Sequence, residues 1–223
     1  MNSIYLKEEH IFLQKMVKEF SKNEVKPLAA EIDSTSQFPR ETIKKMSELG
    51  LMGIPWQEKY GGAGLDTIAL VVAIEEIAQV CTSTAITMTA HTSLGTAPIA
   101  AFGTEEQKEK YLPDLASGKK LGAFGLTEPN AGSDAGNTRT KATLDGDVYI
   151  VNGQKVFCTN AGFADTIIFT ATIVEGGAEK GIGAFIVESG TEGLKLGKPE
   201  KKMGWRASDT RSIFFNDMKI PKK

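Results

Sequence analysis

Two short runs of this sequence combine residue types that could hold a flat ligand carrying phosphate. The first, Leu121–Asp134, reads LGAFGLTEPNAGSD. Gly132 and Ser133 follow Pro129 there, and their backbone amides are free of side-chain bulk, which suits an anion such as a pyrophosphate. Ordinary turns have the same composition, so the physical chemistry of this run alone leaves both interpretations open.

The second run, Asn152–Ala161, reads NGQKVFCTNA. If it forms a strand, alternate side chains face one way, and Phe157 and Thr159 would share a face. An aromatic plane beside a hydroxyl suits a flat heterocycle that needs both stacking and a hydrogen bond. A core phenylalanine beside a threonine on a strand is the structural alternative for the same pattern.

Few other side chains could carry chemistry. Cys81 and Cys158 are the only cysteines, and their wide separation argues against a disulfide framework or a cysteine-based zinc site. His10 and His91 are the only histidines, so we expect no zinc site or iron cluster and assign no metal ligand. His91 lies in an apolar segment and is interpreted as a core histidine. Glu75-Glu76 is interpreted as a helix cap or a solvated helix face.

Apolar residues recur at helical spacing through most of the first half of the chain. The pattern predicts helices over Lys7–Ser21, from Pro39 to a left-handed stop at Gly50, and over Ile68–Ala78, Ala85–Ala101 and Thr104–Ala116. The third and fourth are apolar on all sides and are expected to pack between other elements. Thr104 and Gln107 have the spacing of a capping box.

After Lys120 the hydrophobic period shortens to that of strands. Alternation predicts strands over Thr140–Leu144, Val148–Val151, Lys155–Thr159, Thr166–Ile173, Ile182–Glu188 and Ser212–Phe215. Asp145-Gly146 and Asn152-Gly153 are interpreted as the turns of two successive hairpins. Short strands at this spacing indicate a barrel or a sandwich. We therefore predict an α+β multidomain chain: an all-α N-terminal helical domain, residues 1–118, and an all-β barrel-like middle domain, residues 119–223.

Charge and hydropathy exclude several classes of partner. The chain has 26 Lys and Arg against 28 Asp and Glu, and no block of one sign forms the footprint of a nucleic-acid-binding protein. Met1–His10 lacks the apolar core of a signal peptide, and no run of about 18 apolar residues predicts membrane insertion. We expect a cytoplasmic protein with no nucleic-acid or membrane partner.

Three ordered motifs make the sequence resemble the acyl-CoA dehydrogenase family. They are Ala123–Ala135, Asn152–Asn160 and Met203–Thr210, in the order and at the approximate spacing of that family. Tyr60–Gly64 and Glu75–Ala78 match in the helical half, so the resemblance spans essentially the whole chain. The residue sequence of the first motif looks most like that of the short-chain, butyryl-CoA members of the family.

The resemblance implies an oxidoreductase that removes a proton beside an acyl-CoA thioester while hydride passes to FAD, giving a trans-2-enoyl-CoA, or catalyses the reverse reduction. It implies electron-transferring flavoprotein as the electron partner and a homotetramer for the full-length protein. Related flavoenzymes on the same scaffold, such as an acyl-CoA oxidase, a nitroalkane oxidase or a flavin-dependent monooxygenase, stay open as alternatives. A non-catalytic assembly module is a further alternative of another class.

The resemblance also implies roles for residues of the first run. Phe124, Leu126 and Thr127 would line the flavin ring, with Thr127 bonding its pyrimidine edge. Gly132 and Ser133 would meet the FAD pyrophosphate, and Ser133 would also touch the CoA moiety.

In the second run, the resemblance implies that Phe157 lies against the isoalloxazine ring, where many relatives have tryptophan. Thr159 would place a hydroxyl near flavin N5. Cys158 is interpreted as a small buried hydrophobe, although a thiol near a flavin could also respond to oxidation. A pairing of Arg206 with Asp209 is a hypothesis for anchoring the last strand, with no catalytic part.

By the same resemblance, we expect the sequence to stop before the C-terminal four-helix bundle of the family. That bundle normally supplies the glutamate base, so no catalytic residue is assigned in this chain. We expect the chain alone to be inactive and to hold FAD weakly.

Overall fold

The computed structural model describes residues 6–222, which form two compact units. Within those residues, the first unit extends to Lys120 and also includes Lys201–Ser208. The second comprises Leu121–Glu200 and the chain from Asp209 onward. Each unit thus combines two separate stretches of the sequence.

The first unit is helical. Its helices are α1 (Glu8–Phe20), α2 (Lys26–Thr35), α3 (Arg40–Glu48), α4 (Thr67–Ala78), α5 (Thr82–Thr89), α6 (Ala97–Phe102) and α7 (Glu105–Ala116). No helix within residues 6–222 is both long and apolar enough to cross a membrane. The predicted helical domain is therefore confirmed, although α2 was missed.

Two π-helical stretches interrupt helices that the apolar pattern predicts to be continuous or longer. Ser21–Val25 joins α1 to α2, and Ala90–Thr96 joins α5 to α6. Each precedes a helix with proline near its first position, Pro27 in α2 and Pro98 in α6. Because proline has no amide hydrogen and crowds the preceding turn, regular α-helical bonding cannot continue through it.

The ends of the helices follow the local chemistry. At α7, the Thr104 hydroxyl accepts from the Gln107 N–H at 3.2 Å, and the Gln107 side chain accepts from the Thr104 N–H at 3.0 Å. The predicted capping box is therefore confirmed. Gly50 follows α3 with φ of 71°, the left-handed conformation that glycine adopts without steric cost.

Helix α4 packs against both α1 and α5, as its apolar sequence predicts. Glu75 is exposed, but Glu76 is buried, and its carboxylate accepts from the Gln14 side chain of α1 at 2.8 Å. The interpretation of Glu76 as a solvated or capping residue was wrong. A buried carboxylate needs a hydrogen-bond donor, and Gln14 supplies one across the helix pair.

The second unit is a β-sheet domain. Its strands are β1 (Gly122–Gly125), β2 (Lys141–Asp145), β3 (Val148–Thr159), β4 (Thr166–Glu175), β5 (Ala178–Glu188), β6 (Leu194–Leu196) and β7 (Thr210–Pro221). The strand order is β1-β4-β2-β3-β7-β6, with β5 paired to β4. Strands β1 and β2 lie parallel to β4, and the other pairs are antiparallel.

Aromatic rings fill the centre of this sheet domain. The ring of Phe169 lies 4.3 Å from Phe215 and 5.5 Å from Phe185, between ring centroids. Tyr149 meets Phe185 edge to face at 5.3 Å. Offset and edge-on geometries of this kind are the favourable ones for aromatic pairs.

Asn152-Gly153 does not form the predicted hairpin turn, because β3 runs straight through it. The register with β7 shifts between Val151 and Gly153, which is a β-bulge. The Asn152 side chain exchanges two hydrogen bonds of 2.9 Å with Asp217. Gly153 has φ of 142°, and a Cβ there would lie 2.6 Å from the Thr140 hydroxyl. The glycine thus serves a close approach of two strands.

His91 is a core histidine, as interpreted from the sequence. It is fully buried, and its Nε2 lies 3.0 Å from the Leu115 carbonyl oxygen. Burial lowers the pKa of His91 to about 4, against a usual value of 6.5, and the hydrogen bond to Leu115 opposes this only in part. The ring is therefore neutral in the folded protein at pH 7.

We expect this histidine to lower the free energy of unfolding as the pH falls. The unfolded chain takes up the proton first as the pH drops, so the stabilising effect is complete above pH 6.5 and is lost towards pH 4. The expected loss is about 2 kcal/mol of unfolding free energy between about pH 7 and about pH 5. Denaturant titrations followed by circular dichroism measure it.

The matched variant is His91→Gln, which keeps a donor for the Leu115 carbonyl and cannot titrate. Its loss of stability over the same interval should be smaller by that amount. Equal losses in the two proteins would contradict the assignment.

Candidate functional site

Strand β1 positions the first predicted cofactor segment. Ala123 is buried and pairs with Ile167 of β4, while Phe124 is half-buried. At the end of the strand, Leu126 is 39% exposed and Thr127 is half-buried. The segment therefore leaves the core at the point where its apolar and hydroxyl side chains become accessible.

A β-bulge positions the second segment. The register between β3 and β7 shifts between Lys155 and Cys158, so β3 carries one extra residue there. Phe157 adopts a left-handed conformation with φ of 58° and is 65% exposed. Thr159 is half-buried and pairs with Thr210. An irregular strand, not simple alternation, places the Phe157 ring outside the core.

Cys158 is a small buried hydrophobe, as its pattern predicts. Its side chain is almost fully buried, and burial raises the pKa of the thiol to about 12. Oxidation proceeds through the thiolate, so this thiol is poorly placed for a redox response.

Backbone and side-chain contacts bring the two segments together. The Val156 N–H donates to the Thr127 carbonyl at 2.8 Å, and the Asn160 amide group donates to the Gly122 carbonyl at 3.3 Å. Gly125 permits the approach, because a Cβ on it would lie 3.1 Å from Cγ of Lys155. Strand β1 thus lies beside the end of β3, although the two are not neighbours in the hydrogen-bonded strand order.

The third segment is an exposed loop that follows β1. Glu128 and Ala131 exchange backbone hydrogen bonds of 3.0 and 3.1 Å around a tight turn. Gly132 and Ser133 come next and are both exposed, and beyond the two chain neighbours of Gly132 no described residue lies within 4 Å of the position of a Cβ on it. These two residues leave open backbone beside the turn, as an anion-binding loop requires.

Beneath the three segments lies a buried ion pair that the sequence analysis missed. Lys155 is completely buried and Glu128 is 5% exposed, and the ammonium lies 2.7 Å from the carboxylate. Lys155 Nζ also donates to the Leu126 carbonyl at 3.1 Å and to the hydroxyls of Thr138 and Thr170 at 2.9 and 3.2 Å. Lysine is almost never fully buried without a partner, so the sequence by itself gave no indication that the Lys155 side chain is buried and paired.

The Glu128 carboxylate is saturated with donors. It accepts from the Arg139 N–H at 2.7 Å, from the Thr140 N–H at 3.0 Å and from the Thr138 hydroxyl. Burial alone would raise the pKa of Glu128, but these donors and Lys155 outweigh it and lower the pKa to about 2. Burial lowers the pKa of Lys155, and Glu128 opposes that shift. Glu128 is therefore ionised throughout the neutral range.

Arg206 and Asp209 have other partners, so the hypothesis that they pair was wrong. The Arg206 N–H donates to the Asp33 carboxylate, and its guanidinium donates to the Ser34 carbonyl, each at 3.1 Å. Asp209 accepts from Arg211 Nε at 2.7 Å and from the Gly162 N–H at 2.6 Å. Asp209 directly precedes β7 and still anchors the start of that strand, through its hydrogen bond with Gly162 after β3.

A second cluster of chemical groups lies in the helical unit. Atoms of Glu9, His10 and Asp66 lie within 4.8 Å of one another. Both nitrogens of His10 are occupied, however: the Lys7 N–H donates to Nδ1 at 3.2 Å, which leaves Nε2 to donate to Asp66 at 2.9 Å. With no lone pair free on the ring, the cluster is a helix-end hydrogen-bond network.

The peptide between Leu126 and Thr127 gives the site a directed donor. The Leu126 carbonyl points inward to Lys155. In a planar trans peptide the N–H of the next residue points the opposite way, so the Thr127 N–H is directed away from the buried ion pair. Leu126 and Phe157, on the two segments that the Val156–Thr127 hydrogen bond joins, both expose apolar side chains.

The left-handed conformation of Phe157 predicts a measurable strain. Asparagine tolerates this conformation better than alanine, because its short polar side chain forms local hydrogen bonds. Phe157→Asn should exceed Phe157→Ala in unfolding free energy by about 1 kcal/mol. Both variants remove the same exposed ring, so denaturant titration of the pair isolates the backbone term. An Ala variant as stable as the Asn variant would show that Phe157 is not strained.

Comparison with known proteins gives a match over both units. The family profile described as acyl-CoA dehydrogenase, N-terminal domain, matches residues 7–119, and that for the acyl-CoA dehydrogenase middle domain matches residues 123–218. The two profiles together cover most of the chain.

Individual relatives agree with the profiles. A short-chain-specific acyl-CoA dehydrogenase of Clostridium acetobutylicum is 51% identical over 216 residues, which is 97% of this chain and 57% of that protein. Butyryl-CoA dehydrogenase from Megasphaera elsdenii matches with a TM-score of 0.92 and 41% identity, over 99% of this chain and 58% of that one. An acyl-CoA dehydrogenase from Bacillus anthracis, solved in complex with FAD, matches with a TM-score of 0.91 and 39% identity, over 100% of this chain and 38% of that one.

The chain spans less than two thirds of the length of each of these relatives, 57% in the first case. The profile matches, the identities and the fold agree with the resemblance carried by the three sequence motifs. The chain belongs to the acyl-CoA dehydrogenase family.

Proposed function

We propose that this chain forms the FAD-binding part of an acyl-CoA dehydrogenase that acts on a short-chain acyl-CoA thioester. The reaction would be α,β-dehydrogenation to a trans-2-enoyl-CoA or the reverse reduction. The observation that carries the proposal is the junction of β1 with the β3 bulge, where the Val156 N–H bonds the Thr127 carbonyl. This hydrogen bond supports the proposal that the two motifs together form one accessible face, as a flavin ring would require.

The residues present fit FAD. Phe124, Leu126 and Phe157 would contact the ring, and the accessible polar groups of Thr127 and Thr159 would bond its edge and its N5 region. When bound, FAD supplies the acceptor for hydride. An exposed aromatic ring held in a strained backbone is a costly feature for a protein surface, which favours a stacking role.

The exposed loop suits the charged part of the cofactor and the substrate. Gly132 and Ser133 would meet the pyrophosphate through open backbone, and Ser133 would also touch CoA. Cys158 is buried, so it would support the ring from the core without contacting it. Electron-transferring flavoprotein as electron partner, a homotetramer and a cytoplasmic location complete the proposal.

The catalytic base is proposed to come from residues outside this sequence. Among the described residues of the sheet unit, Glu128 and Asp209 are the buried carboxylates, and both are fully engaged. A base must reach the substrate proton within about 3 Å and have a pKa suited to accepting it. Glu128, with a pKa of about 2, does neither.

FAD binding is the direct test of the site. The chain should bind FAD weakly but measurably in an equilibrium titration, and Phe157→Ala should raise the FAD dissociation constant about fivefold, because an aromatic stacking contact contributes on the order of 1 kcal/mol. Ile182→Ala is the matched control, since Ile182 is also exposed in the same unit but lies on β5. Equal losses in the two variants would place the flavin elsewhere.

The flavin held by this chain should not be reduced by butyryl-CoA under anaerobic conditions. The reason is that the buried carboxylates are committed to Lys155, Arg211 and backbone donors. The measurement is the visible flavin absorption before and after addition of substrate. Bleaching by substrate would show that a residue of this chain acts as the base, whereas chemical reduction by dithionite serves as the positive control.

A further inference from the structure

We propose that the buried Lys155–Glu128 ion pair is a positioning element that sets the relative placement of the three segments of the FAD site. This inference rests on the proposed function, because it assigns the pair a role in holding a flavin. It goes further in naming two residues that touch neither cofactor nor substrate yet determine how the cofactor is held.

The pair holds the first segment by its backbone. Lys155 Nζ bonds the Leu126 carbonyl at 3.1 Å, which turns that peptide so that the Thr127 N–H is directed away from the ion pair. Without the ammonium, the Leu126 carbonyl would be left among buried side chains with one partner fewer. The peptide could then rotate, and the donor offered to the flavin edge would lose its direction.

The pair also closes the loop that carries Gly132 and Ser133. The loop leaves the core at Glu128, and its returning end is bonded to the same carboxylate through the N–H groups of Arg139 and Thr140. One side chain therefore fixes the two ends of the loop against each other. The open backbone that would face the pyrophosphate is held between them.

The second segment depends on the pair through the strand itself. Lys155 is the residue before the bulge, and its stem packs on Gly125, where a Cβ would lie 3.1 and 3.2 Å from Cγ and Cβ of Lys155. With Lys155 buried, the extra residue places Phe157 on the opposite side of the strand, in its left-handed conformation. The ion pair thus holds the buried side of the bulge, and the ring projects from the other side.

A polar network suits this role better than an apolar cluster of the same volume. The ammonium has three hydrogens and meets four acceptors, on Leu126, Glu128, Thr138 and Thr170, in fixed directions. Apolar groups would fill the space without directing any backbone group. Buried ion pairs often contribute little to stability compared with apolar replacements, whereas fixing a unique arrangement is a role attested in other proteins.

The test exchanges the charged pair for a neutral one. Lys155→Met with Glu128→Gln removes both charges together, so no uncompensated charge stays buried. The Gln side chain keeps one acceptor oxygen, for the N–H of either Arg139 or Thr140, which bond different oxygens of Glu128. The matched control is Lys141→Met with Glu179→Gln, the same chemical change at an exposed ion pair of 3.0 Å in the same unit.

Three quantities are measured on the full chain: unfolding by denaturant, the FAD dissociation constant, and amide hydrogen exchange at Val156, whose N–H bonds Thr127. We expect the buried double variant to fold, to bind FAD at least tenfold more weakly and to exchange the Val156 amide faster. The exposed control should bind FAD within twofold of the unaltered chain. If the pair had only a structural role, the double substitution would change the free energy of unfolding, but neither the FAD dissociation constant nor the exchange rate of the Val156 amide.

A folded double variant that binds FAD within twofold of the unaltered chain overturns the inference, whatever its stability. If the double variant does not fold, Lys155→Met alone, which leaves Glu128 with the donors of Thr138, Arg139 and Thr140, must show the same loss of FAD affinity. Failure of the unaltered chain to bind FAD would reject the proposed flavin site itself. In that case an unchanged Val156 exchange rate in the variant shows that the pair does not position the segment either.

Discussion

A fully buried lysine in the middle of a strand is the constraint on which the sheet unit depends. Its ammonium must be matched by an anion and by further acceptors, because an unpaired buried charge is too costly to retain. Glu128, two threonine hydroxyls and the Leu126 carbonyl meet that requirement. Satisfying Lys155 therefore draws the end of β1, the loop after it and β3 to a single point.

The far side of the Phe157–Thr159 segment is held as well. The Asn160 N–H bonds the Asp209 carbonyl at 2.9 Å, and the Asp209 side chain accepts from Gly162 and Arg211. The strained residue thus lies between two polar anchors, one before it and one after it. A left-handed phenylalanine persists only where the surrounding structure determines it, and these anchors provide that surrounding.

Sequence patterns predict much of this architecture, and the failures have physical causes. Helical period, the Thr104 capping box and strand alternation are local, so they could be derived from neighbouring residues. Asn152-Gly153 has the composition of a turn, but β3 continues through these residues, and β7 carries the extra residue of the bulge opposite them. Alternation would place Lys155 and Phe157 on one face, and a single inserted residue separates them. Burial of Lys155 depends on Glu128, 27 positions away, and no local pattern contains that pairing.

The chemistry of Glu128 explains why one carboxylate cannot both organise this site and act as its base. The donors that fix the loop lower its pKa from 4.5 to about 2, which weakens its affinity for a proton by about two to three orders of magnitude. The same donors occupy the oxygens that a substrate proton would have to reach. A general base needs an accessible lone pair and a pKa that favours acceptance of the proton. Positioning and proton transfer therefore call for separate carboxylates, and Glu128 has the properties of the first kind.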